Sequence, residues 1–281
     1  MFYLLNILIQ MKILFNNHKL NIELRPFNDI GFVPTMGGIH DGHISLIKKS
    51  QKLCKKTIVS IFINPKQFNN KEDFKKYPNN IKKDLSILKK IKDIDFVYLP
   101  KFKDIYNSKR KSKIIINKND KILCAKFRKG HFEGVIDVMD RLTNLIKPKK
   151  IFMGKKDFQQ LFLVKKFIEK RYRTKIIGCK TIRDKDNLAL SSRNRLLNIN
   201  NLIVARKVTK MLFQIKRQIR KEININKFLS KSKKNIKKNF KIKVDYLELR
   251  SLKDLKISNK TKYSRIFFAY YIGKTRLIDN I

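Results

Sequence analysis

Cysteine is scarce in this chain and never paired: Cys54, Cys124 and Cys179 are the three, and no two form a C-x-x-C. That excludes a disulfide framework and a paired-cysteine zinc site, and it fits a reducing compartment. Long apolar runs are missing too. The most apolar stretch, residues 1–15, is interrupted by Asn6, Gln10 and Lys12 and is too short to span a bilayer. It lacks the basic start and small-residue cleavage site of a signal peptide, so a cytoplasmic location and no membrane partner are expected. No internal repeat is evident.

Acidic residues are the other scarcity: 22 Asp and Glu against 68 Lys and Arg leave a net charge of +46. Such an excess raises the question of nucleic acid, because lysine and arginine neutralise phosphates and release counterions. The lysines are not clustered, however; they recur in nearly every segment beside abundant Asn, Ile and Phe. A- and T-rich codons produce that mixture, which favours a solvated surface over a selected polyanion site. No specific nucleic-acid partner is expected, although the field attracts anionic substrates.

What is present is a folding sequence. Hydrophobic residues make up 42% of 281, enough for one large domain or two smaller ones with a real core. Strand-like runs at residues 30–33, 57–63, 96–99, 151–153 and 175–178 alternate with helix-period segments. The first helix carries Ile44, Ile47 and Leu53 on one side. A second, capped by Asn79 or Asn80, buries Ile81, Leu85 and Leu88. A third starts near Gly134, turns Val135, Val138, Leu142 and Leu145 inward, and stops at Pro148. A fourth opens at Asp157 and carries Leu161, Val164 and Ile168. Strands alternating with helices mean βαβ units, so the expected fold is α/β, a Rossmann-like parallel-sheet domain over residues 1–179. Beyond residue 180 a basic helical stretch (202–221) and two strand-like runs (244–249 and 265–272) read as a smaller α+β domain, residues 180–281.

Five segments carry chemistry. Pro34-Thr35-Met36-Gly37-Gly38-Ile39-His40-Asp41-Gly42-His43 lies between a strand and a helix start, where free backbone N–H groups and the helix dipole favour a phosphate. Only four histidines exist in the chain and two of them, His40 and His43, fall here. They suit hydrogen bonding to phosphate oxygens or charge stabilisation on a leaving pyrophosphate. Next, a buried strand ends at Asn64-Pro65-Lys66-Gln67, whose neutral amides suit the hydroxyl and carboxylate groups of a small polar substrate; the alternative is a simple Asn-Pro turn. Arg128-Lys129-Gly130-His131 is a helix-entry loop in which His131 reads as structural. Gly154-Lys155-Lys156-Asp157-Phe158-Gln159-Gln160 places Lys156 as a point charge at a helix start. Finally Ile182-Arg183 and Leu190-Ser191-Ser192-Arg193 bring two hydroxyls beside an arginine fork.

The His-x-Gly-His pattern resembles the signature of the nucleotidyltransferase superfamily. The order and wording of all five segments, from about Gly31 to Arg276-Leu277-Ile278-Asp279-Asn280, resemble the pantothenate synthetases. That resemblance implies ligation of pantoate and β-alanine through a pantoyl adenylate, with ATP as substrate, Mg2+ as its counterion, and a homodimer. It implies ATP contacts from Met36, Gly37, Gly38, Ile39, His40, Asp41, Gly42 and His43. Further ATP contacts are implied from Gly154, Lys155, Lys156, Asp157, Ile182, Leu190, Ser191, Ser192 and Arg193. Gln67, Gln160 and Asn64 would hold pantoate, with Gln67 also near β-alanine. His43 would be the catalytic proton donor, with His40 and Lys156 stabilising the α-phosphate, and Asp84 would stand near the metal.

The chain departs from the family pattern at Lys155 (usually Glu), Lys129 (Pro), Asn79 (Arg) and Asn187 (Gly). Lys155 reverses a charge beside the phosphate site, while Asn187 is mild because Asn tolerates the left-handed conformation. Two rival readings are an adenylyltransferase of the same superfamily acting on a phosphate, and a non-enzymatic RNA-binding role.

Overall fold

The computed structural model describes residues 11–106 and 114–281. Of the apolar opening run, residues 1–10 lie outside the described part, and an edge strand β1 (Lys12–Leu14) follows them. Next come α1 (Asn17–Leu24), β2 (Ile30–Thr35), α2 (Asp41–Leu53), β3 (Lys56–Ile61), α3 (Lys71–Lys76), α4 (Ile81–Lys89), β4 (Phe96–Tyr98) and α5 (Phe102–Ile105). They are followed by α6 (Cys124–Phe127), α7 (His131–Ile146), β5 (Lys150–Gly154), α8 (Phe158–Arg171) and β6 (Lys175–Cys179). The remainder is α9 (Ile199–Gln218), α10 (Ile225–Phe240), β7 (Val244–Ser251), β8 (Ser264–Ile272) and β9 (Thr275–Asn280).

The first six strands form one parallel sheet in the order β1-β4-β3-β2-β5-β6. Side chains alternate between its faces. Phe32, Ile58, Phe96, Tyr98, Ile151 and Met153 pack on the face covered by α1, α7 and α8. Val33, Val59, Val97 and Phe152 point to the other, against Leu46, Ile47 and Leu88 of α2 and α4. Both faces are buried, which is why these strands read as unbroken apolar runs. Each fully buried large side chain among them contributes roughly 1.5–3 kcal/mol.

The chain leaves β2 towards β3 and β4 and later returns to β5 on β2's other side. At that reversal the carboxyl ends of β2 and β5 diverge and open a crevice, the place where parallel sheets receive ligands. The antiparallel sheet β7-β8-β9 lies over it. One face, with Leu247, Leu249, Ile266 and Phe268, packs on Val208, Leu212 and Ile236 of α9 and α10. The opposite face, with Tyr246, Phe267 and Ala269, packs on Phe132 and Leu163 of α7 and α8.

Several expectations change in detail. α7 starts at His131, three residues before Gly134, because left-handed Gly130 (φ 76°) ends the preceding turn. Leu53 and Ile81 do not face the core; they are 38% and 46% exposed. Asn80, not Asn79, caps α4, its Oδ1 accepting from Lys83 N. Strands β1 and β9 and helix α10 have no counterpart in the sequence reading. In β9 the apolar pattern is broken by Arg276 and Asp279, both buried because both are paired.

Candidate active site

The turn after β2 carries the two imidazoles. Gly37 and Gly38 are both left-handed (φ 80° and 63°), and a Cβ on Gly38 would stand 2.8 Å from Ser192 Oγ, so the turn requires glycine there. The N–H groups of Gly37, Gly38, Ile39, His40, Gly42 and His43 are not held open for phosphate as the sequence suggests; protein acceptors take them. Gly37 N donates to Thr35 Oγ1 at 3.1 Å. Gly38 N and Ile39 N donate to the two oxygens of buried Asp84 at 2.8 and 2.9 Å. Gly42 N donates to His40 Nδ1 at 3.0 Å and His40 N to His43 Nδ1 at 3.4 Å, while His43 N donates to the His40 carbonyl at 2.8 Å.

The rings supply donors in their place. A ring nitrogen that accepts a hydrogen bond carries no proton, so each neutral imidazole holds its proton on Nε2. Burial, aided by the charges of Lys156 and Arg195, pushes His40 down to about 4. Burial, together with His40, Lys156 and Arg195, holds His43 well below the ordinary range. The two rings, with centroids 4.1 Å apart, are therefore neutral N–H donors at pH 7.

Both line a cavity that also takes in Met36, Gly42, Gln67 and Gln160. Asn64 is not on its wall. It is 1% exposed, donates from Nδ2 to Gly134 O at 3.0 Å, and accepts at Oδ1 from Lys66 N and Tyr106 Oη. With its amide engaged by protein partners, Asn64 braces the turn that carries Gln67. A Cβ on Gly134 would lie 2.2 Å from Lys66 O, so the first turn of α7 presses directly on this segment. Gln67, presented by that segment, donates from Nε2 to Met36 Sδ. His131 is structural: its Nδ1 donates to Gln67 O at 2.7 Å, which leaves Nε2 to accept from Arg128 Nη1 at 2.8 Å. Burial and the Arg128 charge hold it neutral.

On the β5 side, Gly154, Lys156 and Asp157 line the cavity, and Lys156 Nζ sits 3.1 Å from Asp157 Oδ1. Lys155 turns away. Its side chain lies along Gly178 of β6, off the cavity wall, so its reversed charge does not enter the site. Another wall is the loop after β6, with Ile182, Leu190, Ser191, Ser192 and Arg193, and the end of β9 with Asp279 and Asn280 lines the cavity beside it. Asn187 in that loop is left-handed (φ 66°), as its replacement of glycine requires. Ser192 Oγ donates to Gly38 O at 3.0 Å and Arg195 Nη2 to Ile39 O at 2.6 Å, stitching the loop to the imidazole turn. Arg193 Nη2 binds Asp73 at 2.7 Å.

Of the other expected contacts, Gly37, Gly38, Ile39 and Asp41 shape the turn behind the wall without lining it. Asp84 also lies behind it, and both its oxygens hold turn amides. Among the described residues no three His, Cys, Asp or Glu side chains gather as a metal cage. Sequence reasoning passed over Asp73, Arg195 and Asn280. The last stands inside the quoted closing motif, the one signal that pointed to it.

The sequence profile of the pantoate–β-alanine ligase family matches residues 11–281. The chain belongs to this ligase family. The pantothenate synthetase of Endomicrobium trichonymphae is 40% identical over 279 residues, covering 96% of this chain and 97% of that protein. That of Sulfurihydrogenibium sp. (strain YO3AOP1) is 38% identical over 257 residues, covering 90% and 91%. Among solved structures, pantothenate synthetase from Thermus thermophilus superposes with a TM-score of 0.90 at 27% identity, covering 96% of this chain and 99% of that one. Pantoate–β-alanine ligase from Francisella tularensis, solved with β-γ ATP and β-alanine, gives 0.81 at 37% identity, covering 96% and 97%. The chain is thus an enzyme of the pantothenate synthetase group, built on the same parallel sheet and small antiparallel sheet.

Proposed function

We propose that this ligase joins pantoate to β-alanine in two steps through a pantoyl adenylate, with ATP as the activating substrate. In the first step a pantoate carboxylate oxygen attacks the α-phosphorus. The bond to the bridging oxygen breaks, and its electron pair leaves with pyrophosphate. In the second the amine of β-alanine attacks the acyl carbon, the amine nitrogen loses a proton, and AMP leaves with the electron pair of the C–O bond. The carrying observation is the pair of Nε2–H imidazoles in the same cavity as Gln67 and Gln160.

Neutral amides orient a carboxylate without suppressing its nucleophilicity. Charge is needed instead where phosphate oxygens gain it, and Lys156 and Arg193, which both line the cavity, are the cations to meet it. His40 and His43 serve as preset hydrogen-bond donors, and His43 becomes the proton donor once the triphosphate's charge offsets its burial. The loop after β6 limits water, so the anhydride meets the amine before it hydrolyses. Mg2+ enters as part of the substrate Mg–ATP, since the described carboxylates build no cage of their own. The Francisella relative's nucleotide and β-alanine complex supports the same two ligands here. A catalytic unit over residues 1–179 closed by residues 180–281, homodimer assembly and a cytoplasmic location belong to the same reading. No helix of the described residues is long and apolar enough to cross a membrane.

The test is AMP release by purified protein with ATP, pantoate and β-alanine, omitting each in turn, alongside pantoate-dependent pyrophosphate exchange. His43→Ala is expected to slow exchange by about 10²–10³-fold while leaving the protein folded. Exchange that ignores pantoate, or no AMP from the complete mixture, sinks the reading.

A further inference from the structure

The end of β9 meets the turn after β5, and the contact is specific. Asn280 is buried, and its Nδ2 donates to Lys155 O at 2.9 Å and to Lys156 O at 2.7 Å. Its Oδ1 accepts from Arg265 Nη1 at 2.7 Å. Both donors and the acceptor of the amide are therefore engaged. The turn at 155–157 has no side-chain cap of its own, nor has the helix that follows. One planar amide thus grips two successive carbonyls and fixes the peptide planes on either side of Lys156 Cα.

The neighbouring residue extends the joint. Asp279 accepts both Arg183 Nη1 (2.7 Å) and Nη2 (2.8 Å), and Arg183 Nη1 also reaches Asn187 O at 2.9 Å. Arg183 pairs through its backbone with Ala189, immediately before the 190–193 segment. A single strand end thereby holds the segments carrying Lys156 and Arg193 in fixed relation.

We infer that Asn280 is a positioning residue for Lys156, setting where its ammonium stands relative to the imidazole pair. The inference rests on the adenylation reading above. A neutral amide suits the task because an aspartate would turn an oxygen towards two carbonyl oxygens, and a cation would crowd Lys156, Arg183 and Arg265.

The test is a double-mutant cycle on pantoate-dependent pyrophosphate exchange, using wild type, Asn280→Ala, Lys156→Ala and the double variant, with thermal unfolding recorded for each. Asn280→Ala is expected to lower the maximal exchange rate by about 30-fold or more, because displacement of a positioned charge is felt in the transition state. In the Lys156→Ala background the same change should cost less than about threefold, since the two act as a unit. Asn280→Ser, which keeps one donor, should fall between, and it carries the same cycle if the alanine variant does not fold. Unchanged exchange in Asn280→Ala, or an equal loss with and without Lys156, overturns the inference and leaves the adenylation reading standing. No pantoate-dependent exchange in the wild type overturns both.

Discussion

The turn after β2 and the turn after β5 face one cavity, yet they are held in place by different means. The β2 turn is braced largely from within and near by: His40 and His43 accept its own amides at Nδ1, Asp84 accepts two more, and Ser192 and Arg195 of the loop after β6 bind its carbonyls. The β5 turn has no internal cap and takes its shape from Asn280 at the far end of the chain. The difference follows from what each turn carries. Two stiff rings can be locked by backbone donors within reach. A lysine has a long flexible stem, so its placement depends on fixing the backbone beneath it. The hydrogen bonds of the imidazole turn thus come from the turn itself, from Asp84 and from the loop after β6, whereas the carbonyls beside Lys156 are held directly by the antiparallel sheet.

The largest expected effect comes from removing the outside acceptor of the β2 turn's amides. Asp84→Ala leaves two buried amides, Gly38 N and Ile39 N, without acceptors. At about 1–3 kcal/mol for each orphaned donor, the loss is about 2–6 kcal/mol, read by urea unfolding. Exchange activity should fall with it because the imidazoles ride on the same turn. If Asp84→Ala unfolds like the wild type, the histidines and the loop after β6 brace the turn without it and the contrast with the β5 turn grows sharper.

Acid probes the same turn more gently. Burial holds His40, His43 and His131 below their ordinary range, so the folded state favours the neutral rings. The unfolded chain then binds more protons as the pH drops. The contribution is complete above the free value of 6.5 and is lost as pH falls towards 4, the value to which His40 is depressed. For His40 alone this amounts to roughly 3 kcal/mol at most. Unfolding free energy measured from pH 7 to pH 4.5 should decline, and His40→Gln should flatten that slope. An identical slope in the variant would mean the ring already accepts a proton in the folded protein.

The same contrast decides what was legible in the sequence. The parallel sheet could be read because its central strands are buried on both faces and announce themselves as short apolar runs, as in Val33, Val59 and Phe152. The imidazole turn could be read because glycines, histidines and strand end lie within ten letters of one another. What could not be read depends on distant partners. Asp84 reaches Gly38 across 46 positions, and Asn280 reaches Lys156 across 124. Asn64 looks like a substrate amide in sequence, and only the nearness of Gly134 O and Tyr106 Oη shows it occupied. Strand β9 stayed hidden for a similar reason: Arg276 and Asp279 read as polar until Asp245 and Arg183 are seen to pair with them.

The smallest effect is expected where the sequence raised the sharpest objection. Lys155 stands where the family usually carries an acid, and a reversed charge beside a triphosphate should alter nucleotide affinity strongly if its side chain faces the site. Its stem instead runs along Gly178, and only its carbonyl joins the β5 turn's bracing, accepting from Asn280. Backbone bracing is blind to side-chain charge, so Lys155→Glu should leave Asn280's grip intact. What remains is a charge at some distance, screened by solvent and salt, and the KM for ATP should shift by less than about threefold. Steady-state titration of ATP at saturating pantoate and β-alanine measures this directly. A shift of ten-fold or more would mean the side chain swings into the cavity when nucleotide binds, and the β5 turn would then be less firmly held than the β2 turn in a second respect.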